Sequence, residues 1–151
     1  MANRDFQQFQ SSLEKGLVQL FCRVSVAGGG AVTLQKWNPA TRTYTSAATT
    51  GAGSYAVGAQ GIKTVTRTGT GAWTVVLQDS YQRLLGVRFS TTAASGVATV
   101  GGAAVDATTD VTSNSAPTIL LVIYSTPGTP ADPASGDKID LRFTLQNSAS
   151  V

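Results

Sequence analysis

Between residues 17 and 26 apolar and polar side chains alternate, with Leu20, Cys22, Val24 and Val26 on one side. Successive side chains of a strand leave opposite faces, so this period of two predicts a strand with one face buried. The rhythm returns at 31–37 and 62–68, where Ile62, Val65 and Arg67 are interleaved with Lys63, Thr64, Thr66 and Thr68. It continues through Trp73, Val75 and Leu77, then at 84–90, 97–100 and 118–125. It is cleanest at 138–146, where Ile139, Leu141, Phe143 and Leu145 oppose Lys138, Asp140, Arg142 and Thr144. Glycine punctuates the runs. Gly69-Thr70-Gly71 predicts a hairpin turn, because glycine tolerates the positive φ such turns demand, and Gly28-Gly29-Gly30 predicts another turn. Residues 38–60 read as a long loop, with a short strand possible at 42–45, and residues 101–115 as a loop or weak strand. The Pro- and Gly-studded stretch 126–136 reads as an excursion that cannot sit inside a sheet.

One segment breaks the period. Residues 3–15 carry Phe6, Phe9 and Leu13 at helical spacing, with Asn3 as N-cap and Gly16 as stop. A helix this short is marginal alone, so its stripe must pack on its own domain or on another subunit. The chain is thus expected to comprise a helical arm at 1–16 and a single β-domain at 17–151. The predicted fold class is all-β, an antiparallel β-sandwich or small barrel of about eight strands with a short N-terminal helix.

Composition narrows the chemistry. The 151 residues contain no histidine, which removes Ser-His-Asp and Cys-His catalysis and most zinc sites. The single cysteine, Cys22, reads as a small buried hydrophobe. Charged residues make up only 13% of the chain, so part of the surface is expected to be covered by neighbours rather than kept soluble by repulsion. Residues 1–90 hold nine basic and three acidic residues, while 91–151 hold two and five. The bases are spread along the chain, which argues against nucleic acid as partner and for an acidic protein surface or head-to-tail self-packing. No secretory leader is visible, and the longest apolar run, 119–123, falls far short of a membrane span. Synthesis and folding in the cytoplasm are expected.

Few groups remain for catalysis or metal binding. Asp79 and Asp140 are the pair to consider for two-carboxylate chemistry. Asp106 with Asp110, and Asp132 with Asp137, are the pairs to consider for calcium, although neither has the oxygen density that ion requires. Turn capping is the simpler role for such Asp side chains. Trp37, Trp73, Tyr44, Tyr55, Tyr81 and Tyr124 are dispersed through strands and read as packing residues. Tyr44 and Tyr55, in loop positions, are the candidates for stacking on a sugar. The expectation is a protein with no catalytic residues, no metal and no cofactor.

Two patches bear a family likeness. G-I-K-T-V-T-R-T-G-T-G-A-W-T-V-V-L-Q-D-S-Y-Q-R-L-L at 61–85, and S-T-P-G with A-D-P-A-S-G-D-K-I-D-L-R-F-T-L at 125–145, resemble virion structural proteins of tailed bacteriophages. The resemblance implies a small β-domain on a virion, with capsid decoration (cement) protein as its role. The implied partners are the major capsid protein and sister copies in a homotrimer, at the capsid exterior, with no nucleic acid and no membrane. Tail, neck or head-fibre components and a glycan-binding receptor tip are the alternatives. The expected contacts are Phe6, Phe9 and Leu13 on the arm, Tyr44 and Tyr55 in the 38–60 loop, and Arg23, Lys36 and Arg42 against acidic patches. Removing residues 1–16 is expected to abolish incorporation into particles while leaving a folded domain. Particle binding and circular dichroism of the truncated chain check this, and undiminished binding contradicts it.

Overall fold

In the computed structural model, described for residues 16–28, 31–38, 40–46, 61–96 and 100–146, the chain forms ten strands, most of them the alternating runs. They are β1 (Leu17–Val26), β2 (Val32–Asn38), β3 (Thr43–Ser46), β4 (Ile62–Gly69), β5 (Ala72–Leu77), β6 (Arg83–Thr92), β7 (Gly102–Val105), β8 (Thr118–Thr126), β9 (Thr129–Pro130) and β10 (Lys138–Gln146). All pairings are antiparallel. One sheet has the order β3-β2-β1-β10-β6. The second runs β4-β5-β8-β7, with β9 also paired to β8. The two sheets do not close on each other, so the architecture is a sandwich rather than a barrel.

β10 lies between β1 and β6. It pairs with β1 from Leu17↔Gln146 to Ser25↔Lys138, and with β6 from Lys138↔Thr92 to Gln146↔Arg83. Its inward residues Ile139, Leu141, Phe143 and Leu145 have no exposed surface. Leu20, Cys22, Val24 and Val26 extend that layer on β1. Trp73, Val75 and Leu77 on β5, with Ile119, Leu121 and Ile123 on β8, meet it from the second sheet. Each fully buried Leu, Ile, Val or Phe of this core contributes roughly 1.5–3 kcal/mol against leaving it in water.

Two irregularities reconcile the sequence with this core. Ile62 and Val65 are three residues apart, which is out of phase for a strand. The register of β4 against β5 shifts between Ile62 and Thr64, so both point inward. On β6 the register shifts opposite Thr144 and Leu145, where Leu84 pairs with Leu145 and Gly86 with Thr144. Leu85 is the extra residue of that bulge, and its side chain is 43% exposed.

Several expectations are corrected. Ten strands form rather than about eight. Within 101–115, read as a loop or weak strand, Gly102–Val105 takes the strand alternative, because β8 offers it an edge. The 126–136 excursion does join a sheet: Thr129 and Pro130 pair with Thr126 and Tyr124. Pro130 is tolerated because β9 is a two-residue edge segment. Val100 is buried but lies outside any strand, and 97–99 lie outside the described residues. So does the helical arm predicted at 1–16, apart from Gly16.

The β4–β5 turn is held by contacts from outside its own hairpin. Gly71 has φ of 65°, its N–H donates to Asp132 Oδ1 at 3.0 Å, and its carbonyl accepts from Ile123 N at 2.7 Å. A Cβ at this position would collide with the Ile123 carbonyl and lie 2.8 Å from Ala131 N. Gly71→Ala is therefore expected to destabilise the fold by about 1–3 kcal/mol through left-handed strain and lost approach. Urea unfolding measures it, and an unchanged midpoint contradicts the assignment.

Candidate functional site

The carboxylates have structural partners. Asp132 takes Arg67 Nε at 2.9 Å and Nη2 at 2.6 Å, in addition to the Gly71 N–H. This ties the β4–β5 hairpin to the segment after β9. The Arg67 guanidinium first, and the Gly71 amide after it, hold the Asp132 carboxyl below its ordinary range, against the opposing effect of burial. Asp137 is the buried charged residue of the core, 2% exposed. Its Oδ1 accepts from Ala94 N and its Oδ2 from Ala134 N, both at 3.0 Å, which pins the loop after β6 to the turn before β10. Asp106 and Asp110 each accept the hydroxyl and backbone N–H of the threonine two residues on, Thr108 and Thr112. Those bonds, the hydroxyl's first, lower both carboxyls. Of the two pairs considered for calcium, Asp106 and Asp110 cap their own turns and Asp132 and Asp137 tie distant segments together, and no group of three or more His, Cys, Asp or Glu among the described residues is arranged to hold a metal. Asp140 lies on the outward face of β10, bound in a two-pronged ion pair by Arg23 at 2.6 Å on each prong. Asp79 is exposed in the connection between β5 and β6, in no strand, whereas Asp140 lies within β10.

The thiol of Cys22 is likewise out of play. Burial first, and the nearby Asp140 charge second, push its pKa up to about 12. It stays protonated inside the core, as a small hydrophobe would.

The cations are arranged differently. Strand register brings Arg23, Arg83, Arg88, Lys138 and Arg142 onto the outer face of the β1–β10–β6 sheet, with Asp140 the acid among them. Arg23 is held by Asp140 and lies 4.2 Å over the Tyr44 ring. Arg83 donates to Gln146 Oε1 at 2.7 Å. Arg88 and Arg142 stand directly opposite each other and have no hydrogen-bond or ion-pair partner among the described residues. Phe21 faces Arg142 from β1 and is 46% exposed. Together with Ser90 and Asp140 they line an open cleft of about 320 Å³. Leu17, also 46% exposed, and Leu85 stand out from the same sheet.

Of the residues expected from sequence to contact a partner, the structure brings Arg23 and Tyr44 together on this sheet. Tyr44 lies in β3 rather than a loop, and Arg23 occupies one side of its ring, which leaves less of it for a sugar. Arg42 is exposed in the β2–β3 turn at φ of 52°, an uncommon conformation for arginine. Lys36 lies in β2, with its side chain outside the described set. Phe6, Phe9, Leu13 and Tyr55 lie outside the described residues. Trp73 and Tyr81 are core residues, 1% and 7% exposed. Sequence reasoning missed Phe21, Arg88 and Arg142. Phe21 carried a signal, since it is an aromatic at the polar phase of a strand whose even-numbered residues are the buried ones.

No known family, curated protein or solved structure matches the chain.

The Arg67–Asp132 pair yields a pH prediction. A carboxyl whose pKa is lower folded than unfolded stabilises the protein above its unfolded pKa, and that contribution disappears as pH falls through the folded value. Asp132→Asn is therefore expected to lower the melting temperature at neutral pH. The gap from the parent should narrow below about pH 4 as the parent's own carboxyl takes up its proton. Thermal melts of both proteins from pH 7 to pH 2.5 check this, and a gap that stays constant across the range contradicts it.

Proposed function

We propose that this chain is a non-enzymatic structural protein of a tailed-bacteriophage virion that decorates the capsid exterior, docking on the major capsid protein and associating with itself as a homotrimer. The observation that carries the reading is the outer face of the β1–β10–β6 sheet. There, exposed Leu17, Phe21 and Leu85 are interleaved with arginines. Protein interfaces are enriched in aromatic residues and arginine and depleted in lysine, and this face carries four arginines to one lysine. Among the described residues, Asp106, Asp110, Asp132, Asp137 and Asp140 are engaged in turns and ion pairs, so this face looks to a partner for complementary charge.

The two patches of family likeness support the reading in a second way. They are one physical unit: Arg67 and Gly71 of the first are bound to Asp132 of the second. The likeness therefore describes a scaffold with its loop latch, and it also reaches the docking face: the second patch runs through β10 with Lys138, Asp140 and Arg142, and the first ends in β6 with Arg83 and Leu85.

Quantitative mass spectrometry of purified particles tests the proposal. Roughly one copy per major capsid subunit is expected for a lattice-wide decoration protein. A few to some tens of copies would place the chain in a tail or neck, and its absence from particles would overturn the reading.

A further inference from the structure

We propose that Arg88 and Arg142, with Phe21 beside them, form a seat for a carboxylate on an acidic protein partner, an Asp or Glu side chain that stands next to an apolar group. The inference rests on reading the chain as a docking protein, and it names the contact. Like charges placed directly across two strands repel, so an unneutralised Arg–Arg pair works against the fold. The other arginines of this sheet's outer face have local acceptors: Arg23 has Asp140, and Arg83 has Gln146. Arg88 and Arg142 have none among the described residues, and they share a cleft of about 320 Å³ open to solvent.

The class of occupant follows from what surrounds the pair. Two guanidinium forks on adjacent strands suit a planar carboxylate, which each can bind through two parallel hydrogen bonds. Phe21 on one side, with Leu17 and Leu85 elsewhere on the sheet, offers apolar surface that a protein side chain can cover and a phosphate backbone cannot. Asp140 also lines the cleft, and its charge, engaged by Arg23, opposes each further anionic group, so a single carboxylate suits the two arginines better than a run of phosphates. A protein carboxylate with an apolar neighbour is therefore the favoured occupant, and a polynucleotide the disfavoured one.

The test titrates the purified full-length protein, at low ionic strength, with a fluorescein-labelled peptide of alternating glutamate and leucine. The same peptide with glutamine for glutamate, and a single-stranded oligonucleotide of equal length, are run beside it. Arg88→Gln and Arg142→Gln are each expected to weaken glutamate-peptide binding by about tenfold or more. Lys63→Gln, an exposed cation on the other sheet, is expected to leave it unchanged. Both arginine variants should melt about 1–3 °C higher than the parent, because the cross-strand repulsion is relieved. That rise also shows that the variants fold. The seat is overturned if the parent does not bind the glutamate peptide, if both arginine variants bind it as the parent does, or if the oligonucleotide binds more tightly. Lower melting temperatures in both variants would also overturn it, since the arginines would then be holding the fold together. No particle enters this assay. Absence of the chain from virions would therefore sink the decoration reading and leave the seat standing, while failure here would leave the copy number untouched.

Discussion

The double pairing of β10 is the constraint on which the molecule depends. The last described strand sits between β1, the first, and β6, so the sheet is complete only when the two ends of the domain have met. Its four inward residues are sealed under the opposing sheet. Once they are inside, the period of two leaves no freedom for the residues between them. Arg142 must face outward, and register then sets Phe21 on one side of it and Arg88 on the other. A slip of one residue would bury these arginines and expose the core, so burial energy fixes the geometry of the outer face. Which side chains form the charged surface is thus a by-product of the packing, fixed by the register of the sheet beneath it.

Acidic side chains serve this architecture in a complementary way. Asp132 and Asp137 close the two long-range loop contacts that hairpins alone cannot make: one between the β4–β5 turn and the segment after β9, the other between the loop after β6 and the turn before β10. Asp106 and Asp110 cap their own turns, and Asp140 neutralises Arg23. With so few charges in the chain, engaging these five acids internally leaves the positive ones to define the exterior of one sheet. A face of that kind has little to gain from its own chain and much to gain from an acidic neighbour.

Much of the fold was legible in the alternation. The bounds of β1 and β10 follow from it directly, because both strands bury one face along their whole length. β9 was not legible, and β7 only as one alternative for 101–115, since neither Thr129–Pro130 nor Gly102–Val105 carries a pattern of its own; each is a strand because β8 has an edge to offer. The bulges that bring Val65 inward and push Leu85 outward appear locally only as a lapse of period. The outer face was hidden for another reason. Phe21, Arg88 and Arg142 lie more than fifty residues apart from one another in sequence, and only strand order and register show that they are neighbours. Arginines that look scattered along the chain are gathered by the sheet.

The most direct measurement is arginine footprinting with phenylglyoxal, read by mass spectrometry, on the free protein and on the protein bound to purified particles. Arg88 and Arg142 are expected to react in the free protein and to be protected on the particle. Arg67, held by Asp132 in the other sheet, should react to the same extent in both states. Equal modification of Arg88 and Arg142 in the free and bound protein would contradict the claim that this face is the docking surface.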